Sequence, residues 1–225
     1  MRLFGKARQA RSPSMETTLL LVRHGETDQN KKRVYMGRSG DPLNEKGRGQ
    51  AEAIAERLSS IGITRIFSSP VARAVQTAEA IAGKAGIDVE TLDNFTEIDF
   101  GPWQKLTAEV IEKRWPRAWR LWKQTPHLLD FSGIETLTGV RMRVEEGLNI
   151  VLDECGGGKV AIVTHDVVVR ILVSIALGID NSHYRSFAVG NAALSVITFE
   201  GERGRIDLLN DTCHRKIPLN RREAG

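Results

Sequence analysis

Two residues that could carry chemistry follow an apolar segment near the start of the chain. Arg23 and His24 come directly after Leu19–Val22, and Gly25 follows them. A short apolar run that ends at a glycine predicts a buried strand leading into a turn. Ligands of open α/β sheets bind at the carboxyl ends of strands. A histidine there can act as a nucleophile and an arginine can bind phosphate, although an isolated Arg-His pair is also typical of a solvated strand end.

A second segment has the same order of features. A predicted strand over residues 63–67 runs into Ser68-Ser69-Pro70, and a helix begins at once with Arg73 in its first turn. Free backbone N–H groups at a helix start favour an anion. We therefore expect Arg73 on the side of an anion site, although a first-turn arginine is also typical of a surface salt bridge.

A third predicted strand, residues 160–164, ends at His165 and Asp166, and the loop between residues 94 and 103 holds Glu97. His165 is a further phosphate-compatible group at a strand end, and Glu97 is a lone carboxylate in the loop between these groups. Because the carboxyl ends of parallel strands share one edge of a sheet, we expect His165 to converge with Arg23 and His24.

The elements that must position these groups alternate between strand and helix. Asn44 is a good N-cap for a helix whose apolar face includes Ile54 and Leu58. Further predicted elements are a short strand over 87–92, a long helix over 135–154, a mostly apolar helix to Leu177, and a hairpin of 193–199 and 206–209 joined across 201–204. The pattern predicts an α/β protein, a three-layer α/β/α sandwich whose mostly parallel sheet has an antiparallel edge.

A segment at about residues 103–135 interrupts this alternation. Pro116 suits the first turn of a helix, so we predict two helices that form a small helical insertion over the active site. Trp115, Trp119 and Trp122 are spaced as one helical stripe, which favours core packing over ligand contact.

Composition limits the class of protein. The chain has 225 residues, a net charge of +4 and two cysteines. Part of the positive charge lies in a predicted flexible basic leader, residues 1–17, and a C-terminal tail, residues 213–225, on either side of one domain, residues 18–212. Tail charge is weak evidence for nucleic acid, and no segment is apolar enough to span a bilayer, so we expect neither partner. Two cysteines make no disulfide framework and fit the cytoplasm; the oligomeric state stays open, with a dimer as one option.

The chain resembles the histidine phosphatase superfamily, the phosphoglycerate-mutase-like proteins. The resemblance rests on four segments in the family's order: Leu21-Val22-Arg23-His24-Gly25-Glu26-Thr27, Ser68-Ser69-Pro70 with Arg73-Ala74 and Gln76-Thr77-Ala78, Glu97 with Gly101 and Trp103, and Val163-Thr164-His165. Each segment alone is only moderately specific, whereas together they cover roughly residues 18–200.

The resemblance implies a role for each matching residue. His24 would become phosphorylated, Glu97 would be the general acid, and the transferring phosphoryl group would be bound by Arg23, Arg73 and His165. Asn30, Gly37 and Asp166 would contact substrate. No metal and no cofactor are expected, because the arginines supply the positive charge that phosphoryl transfer needs.

The superfamily contains phosphatases and mutases, and both remain open. A tyrosine that mutases carry after the catalytic glutamate is Phe100 here, and no Arg-Arg pair lies between Gly101 and Glu135. These differences favour a phosphatase acting on a small phosphorylated metabolite, with a phosphoglycerate mutase as the alternative. Met36 stands where relatives place a polar residue, and Asp166 where a glycine is usual. An inactive or weakly active relative that binds a phospho-ligand or a protein is therefore a third option.

Overall fold

The computed structural model describes residues 16–215 and contains a six-stranded sheet at its centre. Strand β1 (Thr17–Arg23) pairs in parallel with β6 (Gly158–Thr164) and antiparallel with β7 (Leu194–Glu200). The sheet order is β4-β3-β6-β1-β7-β8, where β3 is Arg65–Ser68, β4 is Val89–Thr91 and β8 is Arg203–Asp211. Four parallel strands with an antiparallel pair at one edge confirm the predicted sheet.

Helices cover both faces of this sheet. They are α2 (Glu45–Leu58) and α3 (Ala72–Ala85) on one face, and α6 (Leu137–Glu154) and α7 (Asp166–Ala176) on the other. The other described helices are α1 (Asp28–Lys31), α4 (Ala108–Arg114) and α5 (Pro116–Gln124). Side chains alternate across a strand, so Leu20 and Val22 of β1 pack in one core with α2 and α3. Leu19 and Leu21 pack in the opposite core with α6 and α7. The two cores confirm the three-layer α/β/α sandwich.

Local signals in the sequence account for several helix ends. The Asn44 side chain accepts a hydrogen bond from the Gly47 N–H at 2.8 Å, as an N-cap does. Thr136 caps α6 in the same way, so this helix begins two residues later than predicted. Helix α3 ends at Gly86, whose φ of +68° is a left-handed conformation that glycine adopts without penalty.

The polar, glycine-containing segment of residues 25–42 is not all loop. It contains α1 and a two-residue strand β2 (Val34–Tyr35), which pairs with β5 (Leu106–Thr107) of the insertion. Thr27 and Asn30 form a reciprocal capping box that starts α1. Such a short helix and ribbon depend on contacts with residues far along the chain, and hydrophobic periodicity therefore gives no sign of them.

The remaining differences are small. Strand β3 begins two residues later than predicted, β4 is three residues long, and the β7–β8 connection is shorter because Arg203 already pairs with Glu200. Residues 1–15 of the predicted leader and residues 216–225 of the predicted tail lie outside the described residues. Within residues 16–215, no helix combines the length and the apolar character needed to cross a membrane.

Candidate active site

A cleft of about 340 Å³ opens at the carboxyl ends of the parallel strands. His24 follows β1 and His165 follows β6, its neighbour in the sheet, and the two ring centroids are 5.1 Å apart. Arg73 enters from the first turn of α3, which follows β3. The strand-end groups predicted from sequence thus meet in one place, and Arg23, His24, Arg73 and Glu97 line the cleft.

Hydrogen bonding fixes which nitrogen of His24 can react. Nδ1 lies 2.7 Å from the carbonyl oxygen of Gly25, an acceptor, so Nδ1 carries the ring proton and donates it. The lone pair is then on Nε2, where it accepts a hydrogen bond from Arg73 Nε at 3.1 Å. Burial lowers the pKa of His24 well below its usual value, and the nearby Arg73 and Arg23 lower it further. The imidazole is therefore neutral at physiological pH, as a nucleophile must be.

The backbone around His24 is held from three sides. Its N–H donates to the carbonyl of Thr164 at 2.9 Å, and its own carbonyl accepts from the Ala192 N–H at 3.1 Å. Gly25 N–H donates to Thr77 Oγ1 at 3.1 Å. A Cβ on Gly25 would lie 2.5 Å from the carbonyl oxygen of Gly47, so this position requires glycine. The reactive ring is positioned by the sheet, by α3 and by the loop before β7.

Arg73 is oriented by the loop that contains Gly37. Its Nη2 donates to the Gly37 carbonyl at 2.7 Å and its Nη1 to the Ser39 carbonyl at 2.6 Å. Gly37 has a left-handed φ of +53°. Burial lowers the pKa of Arg73 to about 10, so the guanidinium still carries its charge at neutral pH. In this structure Gly37 orients Arg73 through its carbonyl group, as well as lining the cleft.

Two buried polar atoms beside His24 have no hydrogen-bond partner among the described residues, Arg23 Nε and His165 Nδ1. Arg23 Nη1 donates to the Val189 carbonyl at 2.6 Å, and His165 Nε2 lies 2.7 Å from Ser69 Oγ. When the Ser69 hydroxyl donates to Nε2, the neutral His165 ring carries its proton on Nδ1. Buried donors without partners are rare in proteins. A bound oxyanion is the kind of partner that both atoms lack.

Glu97 is buried, and its Oε1 accepts a hydrogen bond from the Ile98 N–H at 3.0 Å. Burial raises the pKa of Glu97 to about 7, and the negative charge of Asp166 acts in the same direction. The cations of Arg73 and Arg23 oppose this shift. A carboxyl group with such a pKa can give and take a proton near neutral pH.

The loop of Glu97 is held by an ion pair that the sequence analysis missed. Arg143 of α6 donates to the carbonyl oxygens of Thr96 at 2.6 Å and Asn94 at 2.8 Å. Glu135 binds Arg143 at 2.7 Å, and its other oxygen accepts from the Asp99 N–H at 3.1 Å. Sequence spacing gives no sign of this contact, because α6 and the loop are distant along the chain.

Asp166 lines the cleft, and its carboxylate is paired with cations on both sides. Arg170, one turn later in α7, donates to Oδ2 at 2.9 Å, and Arg23 Nη1 lies 3.5 Å from Oδ1. Arg170 also donates to the carbonyl oxygens of Tyr184 and Phe187. The repulsion that a carboxylate would exert on phosphate is therefore reduced by these two arginines.

Asn30 and Met36 also line the cleft. Asn30 Oδ1 accepts from the Thr27 N–H and from Asn191 Nδ2, both at 3.1 Å. Its amide oxygen is therefore occupied by the protein, and its Nδ2 is the group left to face a ligand. The Met36 side chain is buried and apolar, so it shapes the wall without offering a hydrogen bond to phosphate.

Several residues of the outer cleft were not identified from sequence. They are Arg33, Tyr35, Arg170, Tyr184 and Arg185. Trp122 also lines the cleft, and its Nε1 donates to the Tyr35 hydroxyl at 3.2 Å.

Trp119 and Trp122 pack with Trp103, which confirms core packing for these two members of the stripe. Trp122 therefore packs in the core and also contributes to the wall of the cleft. No group of three or more potential metal ligands occurs within residues 16–215.

Several known proteins are similar to this chain. Phosphoserine phosphatase 1 of Hydrogenobacter thermophilus is 37% identical over 87% of this chain and 93% of its own length. A probable phosphoglycerate mutase GpmB of Cronobacter sakazakii is 34% identical over 80% and 84%. The bifunctional protein Rv2228c of Mycobacterium tuberculosis is 33% identical, and the match spans 54% of its length.

A solved structure, Bacillus stearothermophilus YhfR, superposes with a TM-score of 0.86 at 31% identity, covering 89% of this chain and all of that one. The family model for the histidine phosphatase superfamily, branch 1, matches residues 19–212, a range that includes every residue of the cleft described above. From this match and these relatives, the chain belongs to the histidine phosphatase superfamily.

Proposed function

We propose that this protein hydrolyses small phosphomonoesters through a phosphohistidine formed on Nε2 of His24. The observation that carries the proposal is the state of the His24 ring. It is neutral, its Nδ1 proton is held by the Gly25 carbonyl, and its Nε2 lone pair lies beside the Arg73 guanidinium. The unpartnered donors Arg23 Nε and His165 Nδ1 support an oxyanion at the same place.

In the first step the Nε2 lone pair attacks phosphorus and a P–N bond forms. The bond between phosphorus and the ester oxygen breaks, its electron pair stays on that oxygen, and Glu97 donates the proton that makes it an alcohol. Arg23, Arg73 and His165 stabilise the charge on the three transferring oxygens. Phosphate near Glu97 favours the protonated carboxyl group further, since like charges raise its pKa.

In the second step the Glu97 carboxylate accepts a proton from water as the water oxygen attacks phosphorus. The P–N bond breaks, its electron pair returns to Nε2, and inorganic phosphate leaves. In this mechanism we propose that Asn30 Nδ2 binds substrate and that the Gly37 carbonyl orients Arg73. Asp166 raises the pKa of Glu97 through its negative charge.

Hydrolysis is favoured over phosphoglycerate interconversion by the surroundings of Phe100. Its ring packs edge-on against Tyr35 at 5.0 Å and Trp122 at 5.2 Å between centroids, and it offers no hydroxyl to a substrate. A mutase must hold its intermediate while the substrate reorients, which requires many polar contacts. The name of the Hydrogenobacter relative also supports a phosphatase. Faster interconversion of phosphoglycerates than phosphate release would contradict the proposal.

The test is direct detection of the intermediate. Brief reaction with a ³²P-labelled phosphoester, quenched in base, is expected to leave acid-labile label on the wild-type protein and none on His24→Ala. His183→Ala is the matched control, because His183 is an exposed histidine that does not line the cleft. Label that persists in His24→Ala would overturn the assignment.

We further propose the cytoplasm as the place of action and a soluble metabolite, with no nucleic acid or membrane, as the partner. Cys155 and Cys213 are both free thiols, which supports a reducing compartment. The cleft volume of about 340 Å³ is at the small end for ligand sites, which supports a small metabolite.

A further inference from the structure

The loop of residues 190–193, directly before β7, holds the backbone on which His24 is carried. The Ala192 N–H donates to the His24 carbonyl at 3.1 Å, and the Ala193 carbonyl accepts a hydrogen bond from the Arg23 N–H at 3.2 Å. Backbone groups on both sides of the His24 Cα therefore bind this loop. The place of the imidazole in the cleft depends on the conformation that the loop adopts.

Ala192 adopts a backbone conformation that its residue type does not favour. Its φ is +50°, in the left-handed region that costs an alanine more than a glycine, and its side chain is buried. Such a conformation persists only where the surrounding contacts hold it. Both backbone polar groups of Ala192 are held: the N–H by His24, and the carbonyl oxygen by His214 Nε2 at 2.8 Å.

The contacts of the His214 ring determine which of its nitrogens carries the proton. Arg57 Nη1 lies 3.1 Å from His214 Nδ1, and a guanidinium can only donate. Nδ1 is therefore the acceptor, and Nε2 carries the proton that it donates to the Ala192 carbonyl. Burial lowers the pKa of His214, and Arg57 and Arg215 lower it further, whereas the Ala192 carbonyl and Asp211 act in the opposite direction. The ring is neutral at physiological pH.

The end of β8 places His214 beside the loop. Asp211, the last residue of β8, binds Arg57 Nη2 through Oδ2 at 2.6 Å. Its Oδ1 accepts a hydrogen bond from the Cys213 N–H at 2.8 Å, which shapes the turn that carries His214. Arg57 belongs to the last turn of α2. A helix, the final strand and the loop before β7 thus meet at one histidine that does not line the cleft.

We infer that His214 is a positioning residue for His24, because its hydrogen bond to the Ala192 carbonyl keeps the loop in the conformation that fixes the His24 backbone. His214 touches neither the reacting nitrogen nor the substrate, so its removal should slow the reaction of every substrate alike. The kinetic part of this inference rests on the proposed function, in which His24 is the nucleophile.

The first test measures the rate constant of phosphoenzyme formation from p-nitrophenyl phosphate by rapid mixing. This constant does not depend on how much of the protein is folded. We expect His214→Ala to lower it about fivefold, the scale of one lost hydrogen bond. His214→Gln keeps a side-chain N–H donor and should retain most of the wild-type value. Arg205→Ala, which removes an exposed ion pair of β8 with Asp207, is the control and should leave it unchanged.

A second substitution tests whether His214 acts through Ala192. Glycine adopts a left-handed conformation without the penalty that alanine has. Ala192→Gly, added to His214→Ala, should therefore recover about threefold of the lost rate. An unchanged rate in His214→Ala, or a loss that neither His214→Gln nor Ala192→Gly reverses, would overturn the positioning role.

Amide hydrogen exchange, followed by NMR, gives a readout that does not involve activity. In His214→Ala, exchange of the Ala192 amide should become at least about fivefold faster relative to the amides of β6, which report global unfolding. Equal changes in both would overturn the inference. Absence of phosphoenzyme in the wild-type protein would refute the proposed function, and the exchange of Ala192 would then decide by itself whether His214 holds the loop.

Discussion

The inner half of the cleft, around His24, and the outer half, at its mouth, differ in how far their charged side chains are buried. Around the reacting nitrogen, His24, Arg73, Glu97 and His165 are 2%, 2%, 7% and 0% exposed, and each is held by backbone or buried side-chain contacts. At the mouth, Arg33 and Arg185 are exposed, and they come from a turn and from a loop rather than from the ends of buried strands. Burial and hydrogen bonds fix the positions of the side chains in the inner half. The guanidinium groups of Arg33 and Arg185 in the outer half are exposed to water.

We propose that this difference separates catalysis from the selection of substrates. Charges in a water-excluded site interact strongly with a developing negative charge, because little solvent screens them. Exposed charges contribute less to binding energy. A residue that carries one can be substituted with little effect on the packing of the core. We therefore expect substitutions in the inner half to reduce turnover of all substrates alike, and substitutions in the outer half to change only their relative rates.

The largest effect is expected from the inner half. Arg73→Ala and His165→Ala should each lower kcat by at least about 100-fold, the scale of one lost transition-state donor, for phosphoserine and phosphoethanolamine equally. Arg65→Ala is the control, because Arg65 has exposed ion pairs with Glu90 and Glu154 away from the cleft. The measurement is kcat from steady-state kinetics on both substrates. An Arg73→Ala protein within a few-fold of wild type would break the distinction between the halves.

A differential effect is expected for Glu97→Gln. Alkyl phosphates should lose roughly 10²- to 10⁴-fold in rate, because an alkoxide leaves only with a proton. p-Nitrophenolate leaves without one, so rapid mixing with p-nitrophenyl phosphate should show a burst of nitrophenol followed by a slow steady state. Glu90→Gln, an exposed glutamate of β4, is the control. Equal loss on both substrate classes would assign the acid to another residue.

The smallest effect is a displacement of the pH profile. Glu97 acts as an acid only when protonated, so wild-type kcat/KM for an alkyl phosphate should fall as the pH rises through about 7. Burial is the main cause of this raised pKa and Asp166 the next. Asp166→Asn removes a negative charge, so the pKa of Glu97 falls and activity is lost at a lower pH. Asp180 lies outside the cleft, so Asp180→Asn should leave the pH profile unchanged. An unchanged pH profile in Asp166→Asn would contradict the electrostatic coupling between Asp166 and Glu97.

The sequence predicted the inner half far better than the outer half. His24, Arg73 and His165 each follow a short apolar strand, and parallel strands place their carboxyl ends along one edge. Local chemistry and topology were therefore enough to bring these residues together. Glu97 required the family resemblance, since a loop carboxylate has no periodic signal that reveals its position.

The outer half depends on contacts between distant segments. Arg185 meets Trp122 across 63 residues of sequence, and Tyr35 meets Trp122 across 87. The contacts by which Arg143 and Glu135 hold the Glu97 loop also join segments that are distant along the chain. Periodicity describes the face of one element and not its partner, so Trp122 could be recognised as buried but not as part of the wall of the cleft.

The hydrogen bond from Arg73 to His24 Nε2 has a consequence for the enzyme at rest. In the proposed mechanism, the electron pair that attacks phosphorus is already engaged by a buried donor at 3.1 Å. Uncharged acylating or alkylating reagents carry no anionic oxygens to draw this guanidinium away, so we expect them to meet a shielded imidazole. A phosphate ester offers such oxygens and exposes the nucleophile by the act of binding. We therefore expect the Arg73 side chain both to protect His24 from uncharged electrophiles and to admit phosphate.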